Sequence, residues 1–233
     1  MWGLIKRTFR LSIIVLALSV LFVVYDNYKT KEDLENLEKW AEENKIIIDK
    51  TKVQPTPFKI EYNENEWNLL KKKLELTKYF EPLDEKYVKK FEFGFDPEYA
   101  KVLVDYWKTN FNWSKQVDHL NRFPQYRIKI NDITIHYVHV ITNKDKLSKN
   151  IKSIPILLMD GWPGSFFGFY KMIDYINDNY KDISFNIIVP SIPGYGYSTP
   201  LNRPFDYIDT AQYFDALMRL VHGENVQYFI HGN

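Results

Sequence analysis

The spacing of apolar residues changes twice along the chain. Leu11–Tyr25 (LSIIVLALSVLFVVY) is apolar on every side, with 15 residues and no charge. From Lys31 to Phe123 the apolar positions recur at helical spacing. Lys31–Asn44 is an acidic helix with Leu34, Leu37 and Trp40–Ala41 as its stripe. Glu64–Tyr79 carries Trp67, Leu70 and Leu74 opposite the lysines 71–73. Asp96-Pro97 opens a third helix by the rule of a capping residue followed by a first-turn proline. Trp113–Phe123 reads as a fourth. Between the first two, Thr51–Phe58 holds Pro55 and Pro57 and reads as an extended linker.

After Pro124 the period falls to two. Tyr126–Ile130 and Ile133–Thr142 alternate about Asn131-Asp132 like a β-hairpin. Ile154–Met159 is a continuous apolar run, as a buried parallel strand should be. Phe166–Ile176 follows as a helix, Phe185–Pro190 as a strand, Tyr207–His222 as a helix and Val226–Ile230 as a last strand. A helical front followed by strand–helix–strand–helix–strand predicts an α/β sheet domain starting near residue 125.

The apolar run at the front predicts a membrane anchor over residues 1–25. As a helix, 15 residues reach roughly 22 Å, short of the roughly 30 Å hydrocarbon layer. Arg10 can snorkel, and Trp2 and Tyr25 suit the interface. A cleaved leader is the competing reading, but Asp26-Asn27-Tyr28-Lys29 gives no small-residue cleavage site. Orientation is contested. Lys6, Arg7 and Arg10 precede the run and vote for a cytosolic N-terminus, while Lys29 and Lys31 on the far side weaken that vote.

Charge then narrows the partners. The 233 residues carry 31 basic and 30 acidic side chains, and beyond residue 25 the balance is 28 to 30. Such a neutral body is no nucleic-acid footprint. Zero cysteines exclude disulfides, thiolate metal sites and a cysteine nucleophile. Aromatics at 17% exclude a disordered chain.

Candidate chemistry concentrates at two turns. LLMDGWPGSFFGFY (157–170) takes a buried strand through Gly161-Trp162-Pro163-Gly164-Ser165 into a helix. Flanking glycines let backbone N–H groups approach a ligand, and such an N–H can hold a developing oxyanion. A plain strand-to-helix turn stands beside that reading. GWPGS is not the G-x-S-x-G nucleophile elbow, so Ser165 reads as a helix cap. PSIPGYGYS (190–198) forms a second loop at the carboxyl end of the sheet, where open α/β folds place their sites. There Tyr195 and Tyr197 either line a pocket or pack the turn. His136 and His139, three apart on one strand, point to opposite faces. His222 ends a helix, where a favourable dipole interaction explains it, and His231 follows the last strand. No metal-ligand spacing and no glycine-rich phosphate loop is present.

Taken in order, the N-terminal apolar run, YWKTNFNWSKQVDHLNRFPQYRIKINDITIHYVHV (106–140), DGWPGS (160–165) and PSIPGYGYS (190–198) resemble the microsomal-type epoxide hydrolases, including the juvenile hormone epoxide hydrolases. The resemblance implies an α/β-hydrolase fold, truncated here. A membrane anchor (1–25) and a largely helical wrapping region (26–124) precede the first part of the hydrolase domain (125–233). It implies a small-molecule epoxide as substrate, no cofactor, and a single-pass place in the endoplasmic reticulum membrane with the lipid bilayer as partner. The implied reaction has two steps: an aspartate attacks the epoxide while two tyrosines protonate its oxygen, and a histidine held by an acid then drives water onto the ester. One backbone N–H of the oxyanion hole maps onto Trp162, and Trp162–Pro163 becomes a candidate cis peptide.

Two departures stand out. The family's H-G-W-P histidine is Asp160 here, which, if ionised and turned inward, sets a negative charge beside a hole meant for one. And YFIHGN runs through Gly232 and Asn233 toward the family's small-x-Asp-x-small elbow, so nucleophile, tyrosines, acid and base are expected beyond Asn233. The chain thus reads as the first half of an enzyme. The rival is a non-catalytic, membrane-anchored interaction protein with a partial hydrolase fold.

Overall fold

The computed structural model describes residues 29–40, 42–43, 45–47, 53–81, 84, 86–87, 89–143, 153–180 and 182–232. Leu11–Tyr25, the expected anchor, lies outside them. Among the described residues no helix is long and apolar enough to cross a membrane.

Residues 29–40 form helix α1, whose stripe stays uncovered: Leu34, Leu37 and Trp40 are all exposed. A short strand β1 (Thr56–Phe58) follows, then α2 (Glu64–Glu75), α3 (Pro97–Thr109) and α4 (Trp113–Leu120). Each of the last three starts on a side-chain cap. Asn63 accepts from the N–H groups of Asn65 and Glu66, Asp96 from Tyr99 with Pro97 in the first turn, and Asn112 from Lys115. Two ends fall short of expectation. α2 stops at Glu75 rather than Tyr79, and α4 stops at Leu120 rather than Phe123. At the end of α4, Asn121 Nδ2 donates to the Ile60 carbonyl while its Oδ1 accepts from the Ile60 N–H.

The linker reading of Thr51–Phe58 is corrected. Thr56, Pro57 and Phe58 pair antiparallel with Arg127, Tyr126 and Gln125, so the N-terminal region contributes an edge strand to the sheet. Proline is tolerated there because an edge strand has one side free of ladder bonds.

The sheet has six strands in the order β1-β2-β3-β5-β4-β6. β2 (Gln125–Ile130) and β3 (Ile133–Ile141) form the expected hairpin, Ile130 facing Ile133, with Asn131 at φ 51° in the turn. Asparagine takes that left-handed conformation more readily than most residues. β4 (Ile154–Met159) is flanked on both sides by parallel partners, β5 (Phe185–Pro190) and β6 (Phe229–Gly232).

The helical stretch after β4 starts with a 3-10 turn, Phe166–Phe169, and continues as α5 (Tyr170–Asn179); α6 spans Tyr207–His222. The chain leaves β4 in one direction to reach β5 and returns across it to β6. Crossovers of one handedness run in opposite directions therefore put α5 and α6 on opposite faces. Two cores result. Leu157 and Ile188 pack with Phe214, Leu217 and Met218 of α6, while Leu158, Ile187 and Val189 pack with Tyr170, Ile173 and Ile176 of α5. Both sets are nearly excluded from solvent.

β6 begins three residues later than the alternation suggested. Val226 closes a turn onto the Gly223 carbonyl, and the Tyr228 hydroxyl donates to Asp215 Oδ1 at 3.0 Å, so tertiary anchoring to α6 uses up those residues. His231, expected after the last strand, lies within it.

Candidate active site

Because β4, β5 and β6 run parallel, the segments that follow them emerge on one edge of the sheet. Leu157, Leu158 and Met159 of β4 stand beside Ile230, His231 and Gly232 of β6. The Gly161–Ser165 turn thus begins next to the end of β6. This is the crevice outside the carboxyl ends of the strands, where the strand order reverses.

Asp160 shapes the turn. Its carboxylate folds back and accepts the Ser165 N–H at 3.1 Å. It can do so only because residues 164 and 168 lack side chains: a Cβ on Gly164 would lie 2.5 Å from Asp160 Cγ, and one on Gly168 would meet the same carboxylate. Ser165 occupies the cap position in extended conformation (φ −157°, ψ 171°), but its side chain makes no capping bond. The reading of Ser165 as the cap holds for its position but not for its side chain; Asp160, five residues upstream, instead accepts the cap residue's own N–H. The Trp162–Pro163 peptide is cis, and Trp162 is 82% exposed. Phe166 and Phe169 anchor the far end of the turn in the α5-side core.

The second loop is locked to the first through His136. This residue is fully buried on β3, with Nε2 bonded to Gln125 Oε1 at 2.8 Å and Nδ1 to Ser191 Oγ at 2.9 Å. Gln125 Nε2 donates to the Leu120 carbonyl, which orients its amide oxygen toward the imidazole. The ring proton then sits on Nε2, and Nδ1 accepts from the Ser191 hydroxyl. The Ser198 hydroxyl accepts the His136 N–H and donates to the Ser191 carbonyl. Burial, aided by the nearby Arg127 cation, pushes the His136 pKa down to about 3. It is a neutral structural strut, unsuited to taking up a proton near neutral pH.

Around this strut, Phe58, Phe166 and Tyr197 place their rings 4.9–5.3 Å from the imidazole. Tyr197 is half-buried in that packing, and burial raises its hydroxyl pKa. Gly196 carries φ 50°, and a Cβ there would come within 2.8 Å of Ser191 Oγ, so the loop requires glycine at that point. For Tyr197 the packing reading holds.

The remaining histidines lie elsewhere. His139 points to the opposite face from His136, as the spacing required, and its Nε2 pairs with Asn186 Oδ1. His222 faces His139 with ring centroids 6.2 Å apart. Burial and that neighbour lower its pKa to about 4, which corrects the expected dipole role: a neutral ring gains little from a helix C-terminus. Its Nε2 has no hydrogen-bond partner among the described residues. Among the described residues no three acidic or imidazole groups converge on a metal position.

Sequence reasoning missed the Gln125–His136–Ser191–Ser198 network and the bond from the Ser165 N–H to Asp160. The pair of glycines at 164 and 168, one helical turn apart just after an aspartate, was the available signal for the second.

Comparison with known proteins agrees with this architecture. Residues 55–169 match the family model for the epoxide hydrolase N terminus, and residues 154–231 match that for the α/β hydrolase fold. Juvenile hormone epoxide hydrolase 2 of Ctenocephalides felis is 40% identical over 150 residues, covering 64% of this chain and 31% of that protein. Epoxide hydrolase 1 of Oryctolagus cuniculus is 36% identical over 168 residues, covering 70% of this chain and 36% of that protein. The crystal structure of juvenile hormone epoxide hydrolase from the silkworm Bombyx mori aligns with a TM-score of 0.69 at 27% identity, over 83% of this chain and 48% of the other. The match thus spans about a third of the length of these curated relatives.

Proposed function

We propose, from the premise that this chain belongs over residues 55–231 to the epoxide hydrolase family, that it builds the oxyanion side of a site that opens small-molecule epoxides to diols. The observation that supports this most is the register of β4 against β6. Met159 pairs with Gly232, so the Trp162 turn and whatever follows β6 share one corner of the sheet. A carboxylate nucleophile presented just after Asn233 would form its ester there. The Trp162 N–H would then receive the negative oxygen that develops when water attacks that ester. Trp162 itself is exposed, which is compatible with a ligand reaching its turn.

On this reading residues 26–124 are the N-terminal wrapping region, and residues 125–233 are the first part of the catalytic domain. Their separation is not complete, since β1 crosses it. Residues 1–25 anchor the protein in the endoplasmic reticulum membrane, with the bilayer as partner and the body facing the cytosol. The two-step route itself needs no cofactor.

The test is turnover of a styrene-oxide-type substrate by the protein expressed from its complete reading frame in microsomes. Diol formation above an empty-vector control supports the reading. Absence of turnover from the complete frame would favour the non-catalytic, membrane-anchored alternative.

A further inference from the structure

We infer that Asp160 is a positioning residue for the Trp162 turn, and that its charge limits the rate at which an oxyanion forms there. The inference rests on the epoxide hydrolase reading for its kinetic half and on geometry alone for its structural half.

The structural half begins with the helix that the turn feeds. Phe166–Phe169 and Tyr170–Asn179 form one helical run, and such a run begins with N–H groups that have no partner inside it. Ser165 stands at the cap position and supplies no side-chain bond. Asp160 supplies one instead, taking the Ser165 N–H at 3.1 Å from the last residue before the turn. That bond closes residues 160–165 into a ring with Trp162 at its apex. The carboxylate is seated where the missing side chains of Gly164 and Gly168 leave room. A negative group at a helix N-terminus is also favoured by the helix dipole. Geometry, charge and the two glycines therefore agree on one role: Asp160 fixes the path of the turn.

The kinetic half follows from the same placement. A carboxylate bonded to the Ser165 N–H belongs to the same six-residue loop as the Trp162 N–H. Like charges repel, and the repulsion falls with distance and with screening by solvent. An oxyanion at Trp162 thus forms against the field of the group that positions its donor. A neutral acceptor of the same shape would keep the first effect and remove the second.

Three variants separate these effects in the protein expressed from its complete reading frame. Asp160→Asn keeps an oxygen acceptor and drops the charge; with ester hydrolysis limiting turnover, kcat should rise roughly three- to ten-fold and KM with it, leaving kcat/KM unchanged, because the oxyanion forms only in the second step. Asp160→Ala removes the acceptor; kcat should fall roughly tenfold, with Asn at the same position restoring it. Gly168→Ala fills the cradle and expels the carboxylate, so it should resemble Asp160→Ala. A readout independent of activity is hydrogen exchange at the Ser165 amide, which should quicken in Asp160→Ala and Gly168→Ala and stay slow in Asp160→Asn.

Equal Ser165 exchange in the native protein and Asp160→Ala would overturn the positioning role. A kcat for Asp160→Asn at or below the native value would overturn the charge effect. If the native protein turns over no epoxide, the functional reading fails, while the exchange measurement still decides the positioning role.

Discussion

The sheet with its two covering helices and the N-terminal helices are built on different principles. α6 buries six residues, from Tyr213 to Arg219, and the strands it covers are almost fully dry. α2 and α3 bury none; Leu103, Tyr106 and Trp107 of α3 are 41–58% exposed. Those residues line an open apolar groove of about 550 Å³ between the two helices, together with Trp67, Leu70 and Trp113. The first region is held by packing; among the described helices of the second only α4 buries side chains, Val117 and Leu120, and caps and a few specific ties do the rest. One such tie is the double bond of Asn121 to Ile60, and another is the Arg122–Asp174 pair, whose nitrogens stand 2.7–2.8 Å from the carboxylate.

That contrast predicts unequal responses to the same truncation. Leu217→Ala, at a fully buried position, should cost about 2–5 kcal/mol, whereas Leu103→Ala should cost under about 1 kcal/mol. Denaturant melts of the two variants check this, and equal losses would break the contrast.

The next effect is pH dependence in the packed region. His136 has a folded pKa of about 3, below its unfolded value near 6.5, so the unfolded chain takes up the proton first. The stability contributed by keeping this ring neutral is full above pH 6.5 and is lost as pH falls from there toward 3. Between pH 7 and pH 5 the loss amounts to about 2 kcal/mol. His222, lowered to about 4, acts in the same direction. Melts across that window should show a shallower slope for His136→Gln; an unchanged slope would remove His136 as the cause.

Smaller effects belong to the ties and caps. Asn121→Ala leaves both backbone groups of Ile60 without their partner and should cost about 1.5 kcal/mol. Limited proteolysis should then cut sooner near β1 than in the sheet. Asp96→Ala removes the cap on α3 and should cost about 1 kcal/mol, seen as lost helical signal with the sheet intact.

The same division explains what the sequence made legible. Asp96-Pro97, the Asn131-Asp132 hairpin and the apolar run of β4 are local signals, and the structure follows each one. β1 was hidden because two prolines argue for a linker and its partner lies 71 residues away, Thr56 against Arg127. The late start of β6 depends on Tyr228 reaching Asp215, and the neutral state of His222 depends on burial. Neither is written in local spacing. At the site, the turn was legible through its glycines, but the owner of the cap was not. Ser165 has the right residue type and position, and only the fold reveals that its side chain makes no capping bond while Asp160 takes its N–H.

The central claim is that the corner shared by the Trp162 turn and the end of β6 serves ester-forming chemistry on an aspartate. The most direct measurement is the nucleotide sequence that follows the codon for Asn233. The account predicts an aspartate codon at once, with a small residue two positions later so that the nucleophile stands clear of a sharp strand-to-helix turn. A serine codon there would make the site that of an esterase, and a stop codon would leave the turn without a nucleophile; either result contradicts the account.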